Sequence, residues 1–220
     1  MKKLLITIDG PAGAGKTTVS RQLAERLEYT YIDTGALYRA VAHEAHSKGI
    51  AADDDAGLEQ LCRGLEIAFV RQESGLSLMC NGVDITDLIR SPEITMLASA
   101  VSARPVVRQF LLGLQREMGQ QKGVVFEGRD MGTVVFPEAD VKFFLSASAD
   151  TRALRRYKEM GAKTATTLEE VSADINRRDQ NDSTRELAPL KPAEDAIRID
   201  STDLSIPEVV DLMISNIRNQ

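Results

Sequence analysis

The stretch that most narrows what this chain can fold into is residues 6–18, ITIDGPAGAGKTT. An apolar run stops at Gly10, small residues and two more glycines follow, and a lysine and two threonines close it. The spacing G-x-x-x-x-G-K-[ST] is met by Gly10, Gly15, Lys16 and Thr17; by chance a chain of ordinary glycine usage shows it on the order of once in a hundred. Leu4–Ile8 is a β-rich run directly before the glycines, and Thr17–Leu27 carries Val19, Leu23 and Leu27 at helical spacing directly after. Taken without that context, the glycines would mark only a flexible turn. In context, a loop without side chains lets backbone N–H groups and a helix N-terminus crowd round one anion. Gly10, Pro11, Ala12, Gly13, Ala14, Gly15, Lys16, Thr17 and Thr18 are therefore expected to hold the phosphates of a nucleoside triphosphate. Lys16 would reach the β- and γ-phosphates, and the Thr17 hydroxyl would ligate Mg²⁺ directly.

Further along, YTYIDTG reads as a strand ending at Asp33, and ALYRAVAHEAHSKG as a helix stopped at Gly49. His43 and His46 on that helix lack a ligand set and read as solvated or packed residues. Between 66 and 85 the rhythm changes: EIAFVR, LSLMCN and VDIT are short β-like runs separated by QESG and NG, the signature of an inserted antiparallel meander. Helical patterning then runs through about 93–119, followed by the strand GVVFEG, a loop RDMGT and the strand VKFFLSA. Two charged helices at about 150–160 and 167–180, a strand AIRID and a helix from about Ser205 complete the chain. Alternating strands and helices predict an α/β fold with a mostly parallel sheet covered on both faces and ligands at the carboxyl ends of its strands. The glycine loop, DTG and EGRDMG all fall at such ends.

At 220 residues and 43% apolar composition the chain suits one core domain with an insertion. No apolar stretch reaches the roughly 20 residues that cross a bilayer, and MKKLLITI reads as the first strand, not a signal peptide; a cytoplasmic protein without membrane contact is expected. Cys62 and Cys80 read as ordinary reduced residues. The net charge of −6 argues against a nucleic-acid binder, which needs a basic face. The arginines cluster locally, in LYRA, RPVVRQ, EGRDMG, LRRYKE and INRRDQNDSTRE, as suits a small phosphorylated ligand. Arg152, Arg155 and Arg156 either serve such a ligand or simply solvate their helix.

A phosphate loop alone leaves a GTPase switch, an ATP-driven motor and a small-molecule kinase open. The guanine-reading N/T-K-x-D pattern is absent, and motors need larger machinery than the remaining length provides. IDGPAGAGKTT, YIDTGALYRA, EGRDMGTVVFP, RRDQNDSTRELAPLKPAEDA and IDST together resemble bacterial cytidylate kinases across nearly the whole chain. The resemblance implies γ-phosphoryl transfer from ATP to CMP or dCMP with Mg²⁺, on a P-loop NTPase-type sheet with a mobile helical lid; a monomer is expected. It implies a core of 1–33, 86–148 and 186–220, an acceptor-binding region of 34–85 enlarged by the meander at 66–85, and a lid with an adjoining acceptor helix at 149–185. It places Thr34, Tyr38 and Arg39 beside the acceptor, with Arg39 and Arg129 on its phosphate. Ser99, Arg108 and Asp130 would lie near the cytosine, and Arg178, Asp182 and Arg185 at its sugar, phosphate or base. Lys16, Arg129, Arg155 and Arg156 would serve the transfer itself, the last two by closing over the phosphoryl group from the lid, where LRRYKEMGAKTATT ends in small residues that can flex. Asp33 and Glu127 would contact Mg²⁺ through water. Glu127 stands where relatives carry aspartate, and Thr34 where they carry serine; Glu127 could equally be a strand-end residue paired with an arginine. A UMP kinase and a catalytically idle nucleotide-binding regulator are the alternatives.

Overall fold

Leu5–Asp9 (β1) is buried at all five positions, as a strand covered on both faces must be, and this explains its apolar Leu5, Ile6 and Ile8. A computed structural model describes residues 3–72, 75–160 and 166–218. β1 lies between Val124–Gly128 (β6) and Val141–Ser146 (β7). Thr30–Asp33 (β2) extends the sheet beyond β6, and Ile197–Asp200 (β8) beyond β7, giving the order β2-β6-β1-β7-β8 with every pair parallel. The register sets Asp33 beside Glu127 and Asp9 beside Gly128, so the strands finish together in polar residues.

Helices Lys16–Leu27 (α1) and Ile206–Arg218 (α8) bring Val19, Leu23, Val209, Val210 and Met213 onto Ile6, Ile8, Phe143 and Leu145 in one apolar cluster. Each such side chain contributes about 1.5–3 kcal/mol by leaving water. Ala149–Met160 (α6) and Leu168–Thr184 (α7) pack on one another through Ala153, Val171 and Ile175. Thr167 caps α7 with a reciprocal bond to Glu170. The sheet and these four helices belong to one compact unit, Met1–Asp33 with Met118–Gln220.

Thr34–Glu117 is a second unit. Its helix Thr34–Ser47 (α2) is rich in buried alanines, which let Pro92–Val101 (α4) pack closely against it. The expected meander is present as Ile67–Gln72 (β3), Gly75–Cys80 (β4) and Val83–Asp84 (β5), paired antiparallel. Asn81 and Gly82, at φ 48° and 80°, make the tight turn that Cys80 and Val83 flank; at the other turn, Glu73 and Ser74 lie outside the described residues.

The structure departs from the expected elements in four places. The helical pattern at 93–119 is two helices, α4 and Pro105–Gly119 (α5), because Pro105 disfavours helical geometry at Arg104 and suits the first position of a new helix. Asp55–Arg63 (α3) was not anticipated; Asp54 caps it by accepting from the Gly57 N–H at 2.9 Å. The RDMGT loop leads into a single π-helical turn, Met131–Val135. Residues 86–117, assigned to the core, belong instead with 34–85, where the apolar face of α4 is buried against α2. Among the described residues no helix is long and apolar enough to cross a membrane.

Candidate functional site

The loop from β1 to α1 passes so close to β7 that a Cβ on Gly10, at φ 149°, would fall 1.9 Å from the Leu145 carbonyl oxygen. Only glycine fits there. Gly15 caps α1 without a side-chain hydrogen bond and the first turn holds no acidic residue, so no carboxylate of the helix itself offsets the positive end that faces the loop. Ser201, just beyond β8, donates through its hydroxyl to the Ala14 carbonyl at 3.3 Å.

Lys16 is only 4% exposed. Its Nζ donates to the Pro11 carbonyl at 2.7 Å, folded back along the loop it follows. Burial, and then the positive field of Arg129, bring its ammonium down to about 7, with Glu127 opposing and Arg178 reinforcing the shift. Thr17 Oγ1 donates to Glu127 Oε1 at 2.9 Å and the Tyr31 hydroxyl to Glu127 Oε2 at 2.5 Å. Burial first, and the Asp33 charge second, push the Glu127 carboxyl upward. Burial likewise pushes the Tyr31 phenol upward, with Glu127 next, and Arg21 lies over the Tyr31 ring at 5.4 Å. Thr17, Glu127 and Asp33 thus form an oxygen-rich spot beside Lys16. No group of three or more His, Cys, Asp or Glu residues able to hold a metal occurs among the described residues. One hydroxyl with water-bridged carboxylates fits Mg²⁺, which keeps several waters and takes its remaining ligands from substrate phosphates.

Past β6, arginines and carboxylates alternate. Arg129 Nε donates to Asp182 Oδ2 at 2.9 Å, and Arg185 Nη2 to Asp130 Oδ1 at 3.2 Å. Arg185 also lies 3.9 Å from Asp182. All four side chains are less than one-fifth exposed. The resemblance's acceptor residues Arg129, Asp130, Asp182 and Arg185 are therefore one network, with Arg178 half-buried on the same helix as Asp182. Arg155 donates to the Ser201 hydroxyl at 2.9 Å and carbonyl at 2.6 Å. Arg156 is exposed and 3.3 Å from Glu159. The expected flexible stretch after α6, 161–165, lies outside the described residues.

In the second unit, Arg108 stacks over the Tyr38 ring at 5.8 Å and donates to the Ser102 carbonyl at 3.1 Å, while Ser102 Oγ bonds the Ser99 carbonyl at 2.8 Å. Tyr38, Ser99 and Arg108 are thereby brought together. Thr34 is buried at the start of α2, and Arg39 is half-buried on it.

Two residues of the first unit escaped the sequence reading. Asp9 accepts from the Met131 N–H at 2.9 Å and the Gly132 N–H at 2.8 Å, anchoring the π-helical turn beside Asp130; burial raises its carboxyl to about 6. Its position between an apolar strand and Gly10 was the available signal. Tyr31 had none: its partner is 96 residues away.

A sequence model of the family described as Cytidylate kinase matches residues 6–219. The chain is 56% identical to a cytidylate kinase of Geobacter sulfurreducens and 54% identical to one of Citrifermentans bemidjiense, each over 218 residues, 99% of this chain and 94% of the relative. Among solved structures, a shikimate kinase of Bacteroides thetaiotaomicron superposes with a TM-score of 0.51 at 13% identity over 99% of both chains, a likeness of fold.

Proposed function

The chain belongs to the cytidylate kinase family and is a kinase of CMP and dCMP, and from that premise we propose how its own residues carry the transfer from ATP. The observation that carries the assignment is the buried Lys16 between the glycine loop and the Thr17–Glu127 pair, within the field of Arg129 and Arg178. Residues 10–18 bind the donor phosphates through backbone N–H groups. Lys16 leaves the Pro11 carbonyl to neutralise the β- and γ-oxygens. Thr17 would hold Mg²⁺ directly, with Asp33 and Glu127 reaching it through water; the ion supplies charge neutralisation on the phosphates.

Arg39 and Arg129 hold the acceptor phosphate. Arg178, Asp182 and Arg185 serve the acceptor's sugar, phosphate or base, and Thr34 and Tyr38 line it. Asp130 accepts from the cytosine N4 amino group while Arg108 donates to N3 or O2, with Ser99 in support; uracil reverses the pattern at positions 3 and 4. Phosphoryl transfer of this kind needs positioning and charge, with no covalent nucleophile. Arg155 and Arg156, on the lid of 149–185, act on the transferring group. The protein works as a cytoplasmic monomer.

The test is ADP release with CMP, dCMP, UMP, AMP and GMP as acceptors. CMP and dCMP should turn over far faster than the rest. UMP as the best acceptor would make the chain a uridylate kinase, and no turnover with any would make it a binding regulator. In the same assay, replacing Arg155 and Arg156 by alanine lowers kcat more than it raises KM for CMP; the reverse would place them in the acceptor pocket.

A further inference from the structure

Accepting that the glycine loop binds the donor, we propose that Arg152 and Asp179 are positioning residues that clamp the Ala12 peptide and hold that loop in its anion-binding shape before the nucleotide arrives. Both polar groups of Ala12 are taken by a single ion pair. Its N–H donates to Asp179 Oδ1 at 3.1 Å and its carbonyl accepts from Arg152 Nη1 at 2.9 Å. The pair is closed by a direct contact between Arg152 Nη1 and Asp179 Oδ2. Arg152 Nε also donates to the carbonyl of Ala147, just past β7, at 3.1 Å. A Cβ on Gly13 would meet the Arg152 carbonyl oxygen at 2.9 Å, so the loop rests on the α6 backbone as well.

A buried guanidinium is costly unless every donor is used and its charge is matched. Arg152 is 8% exposed, on a helix whose other arginines solvate or reach other partners, and the carboxylate that matches it touches the loop too. A loop rich in glycine has more backbone freedom to lose than an ordinary sequence. Fixing one peptide from both sides moves that ordering cost from binding to folding, which tightens the site for its ligand. Asp179 sits on α7 between Arg178 and Asp182. The helix that carries acceptor residues is therefore the one that orders the donor loop.

The variants are Asp179→Asn, which keeps an acceptor for the Ala12 N–H but removes the charge that matches Arg152, Arg152→Met, and the two combined. Asp174→Asn serves as control, because Asp174 pairs at the surface of α7, with Arg177 at 2.8 Å. Each single variant should raise KM for ATP about tenfold, the scale of a lost charged hydrogen bond, while KM for CMP moves less than about twofold. The double variant should resemble the singles instead of multiplying them, since all three remove the same clamp. The control should change neither constant. Parallel rises in both KM values, or an unchanged KM for ATP with a lowered Tm, would reduce the pair to a structural ion pair and overturn the proposal. Where Arg152→Met does not fold, Asp179→Asn and the double variant decide. Lys16→Ala run alongside separates this outcome from failure of the donor assignment: if it retains turnover, the donor reading itself is wrong, whereas its loss with no ATP-selective effect in the Asp179 and Arg152 variants condemns only the clamp.

Discussion

The glycine loop and the arginine–carboxylate network past β6 both meet phosphate in the proposed function, yet they are built on opposite principles. The loop offers backbone N–H groups and a helix end, fixed by steric fit at Gly10 and by bonds to its own carbonyls; its one charged side chain, Lys16, is buried against a neutral carbonyl. The network offers side chains only, and each guanidinium already faces a carboxylate: Arg129 with Asp182, Arg185 with Asp130. A phosphate arriving at the loop draws Lys16 off the Pro11 carbonyl, while the Ala12 peptide stays held by Asp179 and Arg152. A phosphate or base arriving at the network must exchange partners with carboxylates, and those carboxylates then become available to the ligand's own donors. Rigid donor chemistry is thereby separated from an acceptor site that can discriminate, since a ligand that fails to replace a broken ion pair leaves buried charge unpaired.

The largest effect that tests this contrast is at Lys16. Lys16→Ala should lower kcat by about a thousandfold while Tm stays close to that of the parent, because the side chain is hydrogen-bonded to the loop it follows. Near-normal turnover would remove the loop from the chemistry. A smaller effect probes the network. Asp130→Ala and Arg108→Met should each reduce kcat/KM for CMP about tenfold to a hundredfold more than for UMP, narrowing the ratio between the two bases. An equal loss for both bases would show that Asp130 merely braces its arginine neighbours, and would erase the distinction between a rigid donor site and a discriminating acceptor site.

The same contrast governs what could be read from the residues in order. The loop was legible because its constraints are local: glycines, a lysine and a threonine at fixed spacing between a strand and a helix. The sheet and the meander were legible from the change between helical and alternating periodicity. The helix at Asp55–Arg63 was missed because it is short and only Asp54 announces it. The break at Arg104 was hidden by apolar spacing that continues on both sides of Pro105. Partnerships such as Thr17 with Glu127, 110 residues apart, or Met131 with Asp9, 122 apart, depend on strand register, which no local pattern encodes. Arg152 stayed open between serving a phosphorylated ligand and solvating its helix, because its spacing does not say that it reaches the Ala12 carbonyl of the glycine loop.

The finest test concerns a proton. Burial and Arg129 hold the free Lys16 near 7, whereas a lysine in an unfolded chain titrates near its ordinary value of 10.5. Between these values the unfolded chain binds the extra proton, so this group's contribution to stability rises as pH climbs from 7 to 10.5. Binding a donor phosphate acts the other way, since its negative charge favours the ammonium and draws a proton in. At pH 8 the free lysine is mostly neutral, and binding of ADP with Mg²⁺ should take up a proton approaching one per site. At pH 6, where the lysine is already charged, Lys16 should contribute almost none. Isothermal titration in two buffers of different ionisation enthalpy measures the uptake at each pH, and the difference between the parent and Lys16→Met isolates the lysine from the nucleotide's own protons. If the two proteins take up the same number of protons at pH 8, Lys16 is charged before the nucleotide arrives. The loop would then resemble the network in keeping its charge matched in the free protein, and the contrast between the two halves would rest on backbone geometry alone.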